Sequence, residues 1–180
     1  MLAENPLHSF KFCPRCGAEG FADHGKRAKS CAQCGLTYYA NVASAVACLI
    51  LDRHDNGLFV RRAFEPAKGT LDLPGGFVDP LETAEAAVIR EIKEETGLDA
   101  QDITYLMSLP NIYPYSGVTV YTSDLFFLVR VDSFDGAVAA DDAAELVIRP
   151  LCQIHSDEFG LSSIKQFIAS VEHYLPKDNL

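Results

Sequence analysis

Residues 75–98 read GGFVDPLETAEAAVIREIKEETGL, and this stretch decides the fold. Ala84, Val88 and Ile92 recur at i, i+4 and i+8, which predicts an amphipathic helix over 81–96. Gly97 follows as its stop. Glu91, Glu94 and Glu95 lie three and four residues apart, so their carboxylates share one helix face. They occupy the last two turns, where the macrodipole disfavours negative charge and like charges at this spacing repel. A solvated acidic helix end is the ordinary reading of a bare E-x-x-E-E. A stability rule broken this consistently points instead to a site. A hard divalent cation relieves both penalties, and carboxylate oxygens suit Mg2+ or Mn2+.

The charge of the whole chain agrees. The 180 residues carry a formal net charge of −10. Residues 1–45 hold five Lys/Arg against three Asp/Glu, a net of +2, which leaves −12 on the remainder. An acidic body argues against nucleic-acid duplexes as partners. If it binds phosphates, it needs a cation as intermediary. The longest near-apolar run, Val42 to Leu51, has strand length and falls short of the ~20 residues of a membrane span. The start, MLAENPLHSFKF, lacks the basic, apolar and small-residue segments of a secretion signal, so a cytoplasmic protein is expected.

Outward from the helix, NVASAVACLILD and GLFVRR read as strands joined by the turn DRHDNG. LDLPGGFV is a short strand running into a glycine turn. DITYLMSL, TVYTSDLFFLVRV and AELVIRPL are further strands, the last stopped by Pro150. SSIKQFIASVEHYL is a C-terminal amphipathic helix with Ser162 or Ser163 as N-cap. Residues 11–40 have no period long enough to bury a core, which places a domain boundary near residue 40.

That short segment carries Cys13-Pro-Arg-Cys16 and Cys31-Ala-Gln-Cys34, each pair followed by Gly. C-x2-C sets two thiolates on one tight turn. Two such turns close a tetrahedron suited to Zn2+, with no open position for chemistry. Two disulfides or free thiols are the alternative, which the doubled spacing and the expected compartment disfavour. Zinc would supply the folding energy that so small a segment lacks. The ribbon is only weakly basic, and a structural role is expected. Cys48, inside an apolar strand, reads as a small core residue.

Gly76, Glu82, Arg90-Glu91, Ile92, Glu94-Glu95 and Gly97-Leu98 occupy every position of the pattern G-x5-E-x7-R-E-U-x-E-E-x-G-U, where U is aliphatic. The chain thus resembles the Nudix hydrolases. The resemblance implies an α/β fold: a Nudix α/β/α sandwich with a mixed sheet over 41–180, preceded by a small zinc ribbon within 1–40. It implies metal-dependent hydrolysis of a nucleoside diphosphate linked to another moiety. Glu91 and Glu95 would be the principal Mg2+ or Mn2+ ligands, with the Gly75 carbonyl contributing. Glu94 would be a ligand or orient water, Arg90 and Glu82 would brace the helix, and Gly76 would turn the loop beside the metal. Glu145, before a strand, is the further carboxylate such enzymes use as ligand or base.

A four-cysteine ribbon before this domain resembles the NADH pyrophosphatase branch, whose second motif is S-Q-P-W-P-F-P-x-S. At the same offset this chain reads Ser108-Leu-Pro-Asn-Ile-Tyr-Pro-Tyr-Ser116. The serines and the prolines at 110 and 114 match, Tyr113 replaces Phe, and Leu109, Asn111 and Ile112 depart from Gln, Trp and Pro. The segment is expected to be a rigid turn beside the substrate, with Ser108, Tyr113 and Tyr115 as binding residues. The expected substrate is a small ADP-containing nucleotide such as NADH, NAD or ADP-ribose, cut to release AMP. Two alternatives stand beside it: a decapping-type hydrolase on NAD-capped RNA, and a non-catalytic nucleotide-sensing regulator, against which the complete box argues. A homodimer is left open by the sequence.

Overall fold

A computed structural model describes residues 5–140 and 143–175 and divides the chain into two units, Met1–Val42 and Ala43–Leu180. In the first, three short antiparallel strands, β1 (Ala22–Asp23), β2 (Ala28–Ser30) and β3 (Thr37–Tyr39), form one sheet in that order. Its core is small: Cys13, Phe21 and Cys31, with Ala18, Cys34 and Leu36 against them. Each cysteine turn closes alike, Gly17 N donating to Cys13 O at 2.9 Å and Gly35 N to Cys31 O at 3.0 Å.

In the second unit, the apolar run becomes β4 (Ala43–Leu51), whose side chains alternate between two cores. Val46, Cys48 and Ile50 pack with Ala87, Val88 and Ile92 of α1 (Ala84–Thr96). Ala47, Leu49 and Leu51 pack with Ile164, Phe167 and Ile168 of α2 (Ser162–Ile168). The two helices therefore cover opposite faces, because successive strand side chains point to opposite sides. The sheet runs β6 (Leu71–Asp72), β5 (Asn56–Arg62), β4, β8 (Val118–Arg130), β7 (Asp102–Tyr115), with β9 (Ala143–Pro150) also on β5. It is mixed: β4 pairs parallel with β8, and the remaining pairs are antiparallel. No helix among the described residues is long and apolar enough to cross a membrane.

Three elements differ from the sequence expectation. The first helix starts at Ala84 rather than 81, because the Thr83 hydroxyl caps it by accepting from Ala86 N at 3.1 Å. The 108–116 segment is not a turn: β7 continues as strand to Tyr115, paired with Val118. β7 is an edge strand, and Pro110 and Pro114 have the same parity, so both missing N–H groups fall on its open side, where proline is tolerated. Neither Ser162 nor Ser163 caps α2. Leu161 occupies that position without a side-chain bond, and the helix ends at Ile168, short of the expected 175.

Candidate active site

β9 runs along β5 from Asn56 to Arg62, so β4 and β6 must share the other side of β5, β4 at its start and β6 at its end. The loop after β6 fills the parting. Cys48 N donates to Pro74 O and Val46 N to Gly76 O, both at 2.8 Å, and Val78 N donates to Ser44 O at 3.0 Å. The loop thus lies on the backbone of β4, and its glycines follow from that contact. At Gly75, φ is 151° and a Cβ would meet Val46 O at 2.1 Å. At Gly76 a Cβ would stand 2.4 Å from Glu91 Oε1.

Glu91 and Glu95 are buried on the loop side of α1, 9% and 6% exposed, while Glu94 stands at the rim. Buried carboxylates need partners. Gly75 N donates to Glu95 Oε2 at 3.0 Å, and Arg90 Nη1 donates to Glu91 Oε1 at 2.7 Å and to Glu94 Oε2 at 3.1 Å. Arg90 also forks onto Glu82, Nε to Oε1 and Nη2 to Oε2, both at 2.9 Å, and reaches Phe77 O at 3.0 Å. Those bonds, helped by the Asp79 amide, hold the Glu82 carboxyl down at about 2. Arg90 thereby ties the loop to the helix and sets the direction of the carboxylates. Three oxygen-bearing side chains on one face, two of them buried beside backbone only glycine permits, fit a hard cation such as Mg2+ or Mn2+.

These groups line a cleft of about 630 Å3, within the range of small-ligand sites. The cleft also takes in Arg62, Phe64, Asp72, Asn111, Tyr113, Tyr115 and Asp124. Arg62 is held by Asp72 Oδ2 at 2.6 Å, donates to the Tyr113 hydroxyl at 3.2 Å and lies 5.9 Å from that ring's centre. Burial raises the Asp72 carboxyl, against the pull of Arg62. Tyr113 meets Phe77 edge-on at 5.9 Å and stacks with Tyr115 at 6.3 Å, making an aromatic wall. Phe64 and Tyr115 are each 61% exposed, flat faces at the mouth.

In the first unit the Cys13 and Cys34 sulfurs lie 3.6 Å apart and the Cys16 and Cys31 sulfurs 3.7 Å, and all four are within 4.8 Å of one another. A sulfur tetrahedron about zinc has edges of about 3.8 Å, whereas a disulfide needs ~2.05 Å. Crowding divides the thiols. Burial raises Cys13, but the Cys16 and Arg15 amides and the neighbouring sulfurs bring it to about 7. The Ala18 amide lowers Cys16, but burial and the sulfurs of Cys34, Cys13 and Cys31 push it up to about 12. Four thiolates together therefore call for a cation among them, and the set fits Zn2+.

Of the residues singled out by sequence, Gly76, Arg90, Glu91, Glu94, Glu95, Tyr113 and Tyr115 line the cleft together. Ser108 and Glu145 do not. Ser108 is exposed on the other face of β7, because an irregularity between Tyr105 and Met107 shifts the register and directs 111, 113 and 115 to the cleft. Glu145 is the cross-strand partner of Arg61 and is paired with it at 2.8 Å, both side chains exposed. Arg62, Phe64, Asp72, Phe77, Asn111 and Asp124 were not anticipated. They come from separate strands and loops, and only the Arg61-Arg62 pair at a strand end gave any local signal.

The NUDIX domain family model matches residues 42–164, and the NADH pyrophosphatase zinc ribbon domain model matches 8–39. Curated relatives include the NAD-capped RNA hydrolase NudC of Deinococcus radiodurans, 36% identical over 118 residues, which cover 64% of this chain and 42% of the relative. The NudC of Vibrio atlanticus is 31% identical over 116 residues, with the same two shares. The matched region thus spans less than half the length of these relatives. Among solved structures, a NUDIX hydrolase from Nitrosomonas europaea superposes with a TM-score of 0.64 at 20% identity, covering 92% of this chain and 94% of that one. The NUDIX domain of Shewanella oneidensis NrtR, solved with ADP ribose, gives 0.61 at 20% identity, covering 77% and 91%. At these identities the structures attest the fold. With the complete box spread over the glycine loop and α1 and the four-cysteine ribbon before it, the chain belongs to the Nudix family, in the branch that carries the NADH pyrophosphatase zinc ribbon.

Proposed function

We propose that this chain is a Mg2+- or Mn2+-dependent pyrophosphohydrolase that cuts the diphosphate of an ADP-containing substrate of the NADH, NAD or ADP-ribose type and releases AMP. The observation that carries the reading is the pairing of two chemistries in one cleft: carboxylates on α1 and an aromatic wall of Phe77, Tyr113 and Tyr115. Glu91 and Glu95 are the proposed principal ligands, with Glu94 at the rim as a further ligand or water-orienting group. When bound, the cation offsets the diphosphate's charge and makes water a better nucleophile. Arg90 fixes the carboxylates, and Glu82 fixes Arg90. Phe64, Phe77, Tyr113 and Tyr115 offer surfaces for a base or ring. Glu145, engaged by Arg61, is left out of this set.

The ribbon, residues 1–40, is proposed as a structural zinc module before the catalytic domain, 41–180. A cytoplasmic setting, which keeps its thiols reduced, suits it. Two observations favour a second substrate, NAD-capped RNA: the name carried by the NudC relatives and the net +2 of residues 1–45. Chromatography of products from NADH, NAD, ADP-ribose, FAD and dinucleoside polyphosphates tests the main reading, which expects AMP from the first three. AMP from none of them sinks it. A steep salt dependence on capped RNA, absent on free dinucleotide, would favour the second.

A further inference from the structure

Beside the carboxylates and the aromatic wall, the cleft has a further polar lining. Asn111 on β7 is 5% exposed and lines the cleft. Its Oδ1 accepts from Ser162 Oγ at 2.9 Å, and its Nδ2 has no partner among the described residues. Thr122 on β8 stands opposite it, and Asp124 is two residues along. Asp124 is 6% exposed and also lines the cleft. Its Oδ1 accepts from Thr122 Oγ1 and its Oδ2 from Ser163 Oγ, both at 2.6 Å. The two adjacent serines of α2 thus hold both side chains in fixed directions. Ala45 and Ala47 on β4 leave room beside them.

The directions define a ligand. The Asn111 amide has its oxygen engaged by Ser162, so it presents its N–H2 group to the cleft as a donor. Each Asp124 oxygen retains acceptor capacity after one hydrogen bond. Asp124, a buried carboxylate with no ion pair among the described residues, disfavours a phosphate beside it. We infer that Asn111 and Asp124 form a specificity-determining subsite for an uncharged planar edge bearing an N–H2 donor beside an acceptor. The inference rests on the proposed function. In an ADP-containing dinucleotide that chemistry has two sources, the carboxamide of a nicotinamide and the amidine edge of an adenine. The aromatic wall lies along the same face of β7, since Tyr113 follows Asn111 by two residues and suits a flat group. In the second motif that this segment resembles, Trp stands where Asn111 does, so here a hydrogen bond replaces a stacking surface.

Calorimetric binding of four mononucleotides to the full chain tests this without any diphosphate being cut. AMP is compared with purine riboside monophosphate, which lacks the 6-amino group. Nicotinamide mononucleotide is compared with nicotinic acid mononucleotide, which replaces the carboxamide by a carboxylate. Wild type should prefer the amino- or amide-bearing member of one pair by about tenfold or more, and the pair that responds identifies the source. Asn111→Leu, which keeps the branched shape and removes the amide, should erase that preference while leaving the affinity for the lesser analogue within about threefold. Asn111→Asp keeps the shape, replaces the donor with an acceptor and should erase it too, so a folding defect in one variant does not decide the outcome. Equal affinities within both pairs, no binding of any of the four, or a preference that survives in a folded variant overturns the inference. An enzyme that releases AMP normally while Asn111 proves indifferent keeps the proposed function and loses this subsite.

Discussion

Replacing Gly76 by Ala separates the catalytic geometry from the fold. The added Cβ would stand 2.4 Å from Glu91 Oε1, 2.8 Å from its Cδ and 3.0 Å from Oε2. Ordinary contact begins near 3.4 Å, so the carboxylate must retreat by about 1 Å. The obstacle is the far end of a side chain, not backbone, and Glu91 can swing without moving α1. Stability should therefore change little. Catalysis should not escape: a displacement of about 1 Å of a positioned group costs on the order of 10²-fold in rate. Gly75→Ala is the contrast, because its Cβ meets the Val46 carbonyl oxygen at 2.1 Å with φ at 151°. That change should lower the melting temperature markedly. The assay is kcat for AMP release at saturating Mg2+ alongside a thermal melt. Gly76→Ala enzyme within threefold of wild type, or a Gly75→Ala protein as stable as wild type, would refute the reasoning.

Other perturbations follow from the same contacts. Cys16→Ser should lose about one zinc per chain and melt earlier; a stable, zinc-free, fully active variant would show that the four sulfurs hold no metal. Glu95→Gln should cut kcat by roughly 10²–10³-fold with little change in KM, and should melt no earlier than wild type in chelator because it removes one repelling charge at a helix C-terminus; activity within a few-fold excludes the ligand role. Tyr113→Ala should impair NAD about tenfold more than ADP-ribose, since only the dinucleotide brings a second base to the aromatic wall; equal losses would place that base elsewhere. Glu82 has its carboxyl depressed to about 2 from 4.5, so its contribution to stability is full above 4.5 and is lost as pH falls towards 2. Glu82→Gln should accordingly be less stable than wild type in denaturant melts near neutral pH and indistinguishable near the acid end; a gap independent of pH would show that its ion pair with Arg90 is not the source.

What could be read in advance follows from how local each signal is. The spacing of Glu91, Glu94 and Glu95 survives folding because three and four residues are one helical turn, and the two C-x2-C turns are equally self-contained. The strand β4 was legible as an apolar run, and its alternation between two buried faces is what makes the fold a three-layer sandwich. The end of β7 was not legible. Pro110 and Pro114 signal a turn in one dimension, and only the knowledge that β7 is an edge strand makes them compatible with pairing. Ser108 faces away from the cleft because one irregular residue before it reverses every later side chain. Arg62, Asp72, Asn111 and Asp124 meet from four different strands, and no spacing along the chain encodes that meeting.

The measurement that tests the central claim most directly is AMP release from NAD by the full chain, followed while Mg2+ is titrated in and then removed by EDTA. The account predicts no AMP in EDTA, a saturable rise with Mg2+ and nicotinamide mononucleotide as the other product in equal amount. An equal rate in EDTA, or products from a bond other than the diphosphate, would contradict it.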